Sequence, residues 1–266
     1  MKRRDFVKSS VAVSCMGGVA PLGLAGESEE KLRPEYYELR LFHLRRGPQP
    51  KRMHDFFRDV AIPAMSRNGL GPIGIFEVLT GPDSPTIYML IPHRSIESFA
   101  TASSRVNADP EYQKAGAGFL NASPSDPAYV RIESSLMVAF DGMPRIEVPA
   151  AASGNKPRIF ELRTYESHSK KANKKKIEMF HKGEVDIFRR TGLQPVFFGE
   201  TIIGPRLPNL TYMITFENLA AREKNWAAFA ADPEWRKLSA IPEYADSELV
   251  SSITNVFLRP APYSQI

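Results

Sequence analysis

Two short pairs of opposite charge carry the clearest chemical signal in this 266-residue chain. Glu38 and Arg40 stand two residues apart in Tyr37-Glu38-Leu39-Arg40-Leu41-Phe42. Glu161 and Arg163 do the same in Phe160-Glu161-Leu162-Arg163-Thr164-Tyr165. On a β-strand, residues i and i+2 share a face, so each carboxylate can meet its guanidinium. A guanidinium fork in a polar site suits a carboxylate or carbonyl ligand. The same pair can instead be a structural ion pair that fixes strand register, and both readings stay open. His181 adds a titratable group on a helix expected to lie over the sheet, with Glu178 and Glu184 three residues to either side. The candidate ligand-binding residues are therefore Glu38, Arg40, Glu161, Arg163, Tyr165 and His181, and no catalytic residue is assigned.

Other chemistry is sparse. No two histidines have metal-ligand spacing backed by a third ligand, so no metal and no cofactor is expected. His43, His93 and His168 fall at strand ends or loops and read as surface or capping residues. There is no Gly-x-Ser-x-Gly elbow and no His-Glu-x-x-His pair. Gly81-Pro82 and Gly204-Pro205 are turn chemistry. Phe42, Tyr165, Phe197, Phe198, Trp226, Phe229 and Trp235 recur at strand and helix periods and read as core. Cys15 is the one cysteine. It falls within a segment expected to be removed, which excludes disulfides and thiolate catalysis from the mature chain.

The elements that position these residues come twice. Gly69-Leu70 returns as Gly192-Leu193, and Ala108-Asp109-Pro110-Glu111-Tyr112 returns as Ala231-Asp232-Pro233-Glu234-Trp235, at the same offset of 123 residues that relates the two charged motifs. A constant offset across separate motifs marks a duplicated, domain-sized unit. In the first copy, alternation predicts a strand over 35–42, with Tyr37, Leu39 and Leu41 on one face and Glu38, Arg40 and Phe42 on the other. A helix follows over 49–67, then strands over 72–80 and 86–91, helical stretches over 95–106 and from 109, and a strand over 130–140. The second copy repeats this from a strand over 158–166 and a helix over 172–190 to a last strand over 248–258. The fold class expected is α+β, with two tandem ferredoxin-like units forming an intrachain dimeric α/β barrel. Each sheet has helices on one face only. The other face is expected to find cover by stacking on its twin, which brings the two Glu-Arg pairs into the barrel. The domains are 35–141 and 158–266, joined by a linker over 142–157 rich in Pro, Gly and Ala.

The N-terminus reads as an address. Lys2-Arg3-Arg4-Asp5-Phe6-Val7-Lys8, followed by a weakly apolar run to Leu24, resembles a twin-arginine signal over 1–25, with a disordered lead over 26–34. Export to the periplasm or beyond is the expected localisation. The formal net charge of +5 falls to +2 once those residues leave. The lysines at 170, 171, 174, 175 and 176 have no interleaved aromatics and read as a solvated helix face, so no nucleic-acid partner is expected. No transmembrane segment is expected in the mature chain.

The Tyr/Phe-Glu-Leu-Arg-x-Phe/Tyr opening, Met53-His54 with Phe57-Arg58, Asn68-Gly69-Leu70 and the Asp-Pro-Glu-Tyr/Trp helix resemble the NIPSNAP family over 35–141 and 157–264. The second copy is the clearer match, ending in Phe257-Leu258-Arg259-Pro260. The resemblance implies the dimeric α/β-barrel fold and carries over no catalytic residue. Members elsewhere are linked to mitochondria and vesicle traffic, a setting an exported chain does not share. The barrel superfamily includes cofactor-free oxygenases and haem-degrading enzymes, an analogy of fold alone. The leading expectation is thus an exported protein of unassigned activity that binds a small molecule or a protein partner through its barrel. The alternative is a cofactor-free or haem-type oxygenase or isomerase using a histidine beside one Glu-Arg pair. A third is a scaffold whose sheet edges pair with other subunits. Whether the chain is an enzyme, and whether it forms a homo-oligomer, stays open.

Overall fold

A repeated sequence builds a repeated topology. The computed structural model describes residues 32–81, 83–153 and 156–266. The expected signal at 1–25 and most of the lead at 26–34 lie outside the described residues. Residues Arg33–Ile266 form one unit. Its first half runs β1 (Tyr36–His43), α1 (Pro48–Phe56), a π turn (Phe57–Ala61), α2 (Ile62–Arg67), β2 (Gly74–Val78), β3 (Thr86–His93), α3 (Ile96–Asn107), α4 (Pro110–Leu120) and β4 (Arg131–Ala139). After the short α5 (Ala150–Ser153), the second half begins with β5 (Ile159–Glu166), α6 (Lys170–Met179), a π turn (Phe180–Glu184) and α7 (Val185–Arg190). It continues through β6 (Gln194–Ile203), β7 (Asn209–Phe216), α8 (Leu219–Ala231), α9 (Pro233–Ser239), a 3₁₀ turn (Pro242–Tyr244), α10 (Asp246–Leu249) and β8 (Ser252–Pro260).

Local chemistry sets the boundaries. Asp109 and Asp232 cap α4 and α9, accepting the backbone N–H groups of Glu111 and Glu234, each at 2.9 Å. Proline follows in both, at a position with no helical N–H to lose. Each capping carboxylate is also gripped by an arginine at the end of the preceding long helix, Arg67 or Arg190. Gly69 and Gly192 turn the chain out of those helices at φ 74° and 85°, where a side chain is disfavoured.

The long helices expected over 49–67 and 172–190 are each interrupted by their π turn. Eight residues of regular α-helix overshoot the starting direction by roughly 80°. The wider turn corrects this, so Met53, Phe57 and Ala61 in one half, and Lys176, Phe180 and Glu184 in the other, all face inward and are buried.

The two stacked sheets expected from the sequence are one closed antiparallel barrel, in the order β1-β3-β2-β8-β5-β7-β6-β4, with β4 returning to β1. The halves meet along two hydrogen-bonded seams. At β2–β8, Val78 stands opposite Leu258; at β4–β6, Ala139 stands opposite Gly199. Closure leaves no open edge among these strands, which takes away the scaffold reading's point of attachment. With barrel on one face and helices on the other, β3 and β7 are buried along their whole length. Part of the expected linker seals one end: Ile146 packs on the interior cluster, and the Glu147 N–H donates to the Val196 carbonyl at 2.9 Å. No helix of the described residues is long and apolar enough to cross a membrane.

The β4–β6 seam depends on a missing side chain. A Cβ at Gly199 would stand 2.8 Å from Met137 Cβ, closer than the seam tolerates. Gly199→Val is therefore expected to destabilise the protein by about 1–3 kcal/mol, as overpacking does. Urea unfolding of the variant beside the wild type measures this, and an unchanged midpoint contradicts it.

Candidate functional site

The two Glu-Arg pairs form as their spacing requires, but outside the barrel. Tyr37 and Leu39 belong to the interior cluster, whereas Phe42, on the opposite face with Glu38 and Arg40, packs under the helices. The expectation that duplication brings the pairs together in the barrel is corrected: they lie in the helix layers of separate halves. Arg40 grips Glu38 with two bonds, at 2.6 and 2.9 Å. Ser134 Oγ donates to Glu38 at 2.9 Å, and His93 Nε2 lies 3.4 Å away. Burial works to raise the Glu38 carboxyl, but His93, Arg40 and Ser134 outweigh it and hold it at about 2. Glu161 is fully buried and takes four bonds. Arg163 donates at 2.7 Å, Arg222 at 2.9 and 3.0 Å, and Trp226 Nε1 at 3.0 Å. Burial again opposes ionisation, and Arg222, Trp226 and Arg163 again win, lowering the carboxyl.

Both forks are thus turned onto their own carboxylates. Arg163 also donates to the Tyr165 hydroxyl at 3.1 Å, and that hydroxyl meets Tyr212 Oη at 2.9 Å. Glu161, Arg163 and Tyr165 come together, Glu38 and Arg40 form a second centre, and His181 joins neither. His181 is exposed on its π turn, edge-on to Phe140 at 5.3 Å. Two readings of single residues need correction. His43 and His93 are buried at the barrel rim and under α3, not at the surface. Lys176 is 1% exposed and no part of a solvated face.

The barrel interior holds a site that the charged pairs do not. Inward residues grade from apolar to polar along the axis: Phe160, Leu162, Thr164 on β5, Leu258, Val256, Thr254 on β8, and Met137, Ser135, Glu133 on β4. One end is closed by aromatic contacts, with Phe76 against Phe160 at 4.8 Å and Tyr37 against Phe197 at 5.1 Å. At the other end a cavity of about 90 Å³ opens between Leu39, Leu162 and Met137 below and a rim of hydroxyls above. Thr164 and Thr211 hydroxyls meet at 2.9 Å, and Arg206, on the turn before β7, donates to Thr254 Oγ1 at 3.0 Å. On the rim, His43 Nε2 lies 3.2 Å from Glu133, which also accepts from Arg131 Nε at 2.7 Å. Arg131 first, then His43, hold that carboxyl below its usual range. Burial, with the charge of Asp83 second, raises the Tyr88 phenol, so it meets the cavity protonated. Hydroxyl, phenol, carboxylate and guanidinium groups above an apolar floor suit a small amphipathic molecule, polar end outward. A volume near 90 Å³ admits a few waters or a small organic group, well below the ~300 Å³ of a drug-sized pocket. These residues were missed because each strand was read as two faces. The signal is the polar end of the inward rows, where Thr164, Thr211, Thr254 and Ser135 replace aliphatic residues. Among the described residues, no group of three or more His, Cys, Asp or Glu side chains could hold a metal ion.

Two ferredoxin-like units fused in one chain and closed into a single eight-stranded barrel define a tandem α/β-barrel protein. Comparison with known families places it further: the NIPSNAP family model matches residues 37–138 and 160–265, and the chain belongs to that family. Among solved structures, a candidate monooxygenase from Lactobacillus acidophilus is similar over 86% of this chain and 94% of its own, at 10% identity and a TM-score of 0.57. A second candidate monooxygenase, from Fusobacterium nucleatum, covers 86% of this chain and 93% of its own, at 6% identity and a TM-score of 0.53. A NIPSNAP-like domain protein from Burkholderia xenovorans matches 39% of this chain and 85% of its own, at 23% identity and a TM-score of 0.35. The two full-length likenesses establish the fold. No curated protein matches the chain.

The Glu38 centre gives a pH dependence with a definite sign. Its carboxyl is depressed in the folded state, so it stabilises the fold above the ordinary carboxylate range. That contribution is lost as pH falls from about 4.5 to about 2. Glu38→Gln is expected to flatten the fall in stability across that window, measured by urea melts at stepped pH. An unchanged slope contradicts the assignment.

Proposed function

We propose that this NIPSNAP-family protein binds a small amphipathic molecule in the open end of its barrel, after export through the twin-arginine route. One observation carries the binding reading: the interior changes from an aromatic plug to a hydroxyl-lined cavity along a single axis. An eight-stranded barrel is just wide enough for side chains to fill it or for one small ligand to be held in it. Here Thr164, Thr211, Thr254 and Ser135 take inward positions around a space of about 90 Å³. The Thr164–Thr211 and Arg206–Thr254 contacts hold these hydroxyls at the cavity mouth, where a ligand's polar atoms can share them. A second reading, chemistry on the bound molecule, is favoured by His43 beside Glu133 and by Tyr88 at the cavity. A histidine paired to a carboxylate suits proton transfer, and the barrel-wide likeness to candidate monooxygenases is compatible with an oxygenase or isomerase.

Native mass spectrometry of the protein purified from its own host tests binding. The wild type is expected to retain a small adduct. Thr164→Leu, which fills the cavity without adding charge, is expected to release it while the melting temperature stays within a few degrees. A bare protein mass in the wild type contradicts the reading.

The export reading rests on Arg3-Arg4 followed by Asp5-Phe6-Val7-Lys8. Replacing both arginines by lysine is expected to leave the chain in the cytoplasm, with fractionation as the measurement. Continued export in the double variant rules out the twin-arginine route.

A further inference from the structure

Equivalent positions in the two halves are filled differently. Subtracting the offset of 123 pairs Phe188 with Met65, Phe216 with His93, Trp226 with Ser103 and Phe229 with Val106. The capping residues Ser95 and Asn218, and the strands β3 and β7, obey the same offset, so these are the same places in one architecture. In the second half aromatic rings occupy them. Phe188 packs edge-on to Trp226 at 5.7 Å and to Phe229 at 5.1 Å, within one dense cluster. In the first half, smaller side chains leave a cleft of about 90 Å³ between sheet and helices. The fold can fill this space, since its twin does. The gap therefore belongs to these residues and not to the architecture.

The cleft has apolar walls and a polar floor. Ser103 and Asn107, both exposed on α3, stand at its mouth. Met65, Leu70, Ile91 and Val106 make the walls, and Arg40, His93 and Tyr112 bring the polar groups. His93 is 1% exposed, and neither ring nitrogen has a hydrogen bond. Its Nε2 faces the Glu38 carboxylate at 3.4 Å. Glu38 is held ionised and can only accept, so the ring nitrogen facing it carries the proton. A singly protonated His93 then keeps a lone pair on Nδ1, and a buried polar atom left unpaired costs about 1–3 kcal/mol. Arg40 commits Nε and Nη2 to Glu38, which leaves Nη1 as a donor. The Tyr112 phenol, raised by burial, is a second donor. Water suits this space poorly. Its volume is that of about three waters, each wanting about three hydrogen bonds, and the aliphatic walls offer none.

We propose that this cleft binds a small aliphatic alcohol. Its hydroxyl donates to His93 Nδ1 and accepts from Tyr112 or Arg40, and its carbon body lies against Met65, Leu70, Ile91 and Val106. A carboxylate fits less well, because Glu38 already holds the guanidinium and repels a second anion. A cavity of ~150 Å³ in another protein holds benzene, so this one admits a body of about four carbons. The site is separate from the barrel cavity, whose walls share none of these residues.

The probe is isobutanol, added to methyl-labelled protein and followed by NMR. Nuclear Overhauser contacts are expected from the probe's methyl groups to those of Met65 and Ile91, and titration should shift both signals to saturation. Isobutyrate, the matching carboxylate, should bind roughly tenfold more weakly. His93→Leu keeps the volume and removes the acceptor, and it too should weaken isobutanol binding roughly tenfold, as loss of one buried hydrogen bond does. Ser103→Trp/Val106→Phe installs the second half's side chains and is expected to abolish the contacts in a folded protein. Thr164→Leu, which fills the barrel cavity, should leave them unchanged and so separates the two sites. A wild type without probe contacts at Met65 and Ile91 holds water alone and overturns the proposal. So does isobutyrate binding as tightly as isobutanol, or His93→Leu binding the alcohol with wild-type affinity. If the double variant does not fold, these last two comparisons decide.

Discussion

Main-chain hydrogen bonding across the β2–β8 and β4–β6 seams is the constraint from which the rest of the molecule follows. Each half alone is a four-stranded sheet with helices on one face and apolar side chains bare on the other. The seams join the bare faces into a tube and supply partners for strands that would otherwise be edges. An interior and an exterior exist only because the tube is closed. The grading from Phe160 to Thr164 becomes an axis with a shut and an open end, and Glu38 and Glu161 become groups of the outer layer. Gly199 marks how tightly the strands approach at one seam.

Much of this was legible. The duplication, the strand-helix-strand-strand-helix-strand order and the meeting of Glu38 with Arg40 and Glu161 with Arg163 are all consequences of spacing. Which face points inward was not, because alternation identifies an inside only when the other face is wet. Here both faces are covered: Tyr37 and Leu39 pack in the barrel, Phe42 under helices. His43 and His93 looked exposed because strand ends usually are, whereas the closed rim buries His43 and α3 covers His93. Lys176 was hidden in a run of lysines. Its inward direction depends on helix phase and on a π turn that leaves no mark in composition. The comparison of equivalent positions between halves needs sequence alone and would have singled it out.

The two halves diverged in the layer between sheet and helices, on strands and helices alike. Both keep a strand carboxylate gripped by the arginine two residues on. Around it, the first half uses His93 and Ser134, while the second uses Arg222 and Trp226 from α8. Trp226 corresponds to Ser103, and beside Ser103 a cleft of about 90 Å³ opens between sheet and helices, with Arg40, His93 and Tyr112 on its walls. The same frame therefore carries a cleft in one helix layer and a dense aromatic cluster in the other.

Fusion of the halves has an evolutionary corollary. A barrel assembled from two identical subunits must accept every innovation in duplicate, with any harm to folding doubled. Covalent linkage breaks that symmetry. One lobe can remain a conservative keel while its sister experiments with charge in places where charge is dangerous, and the tandem chain needs to survive each experiment only once.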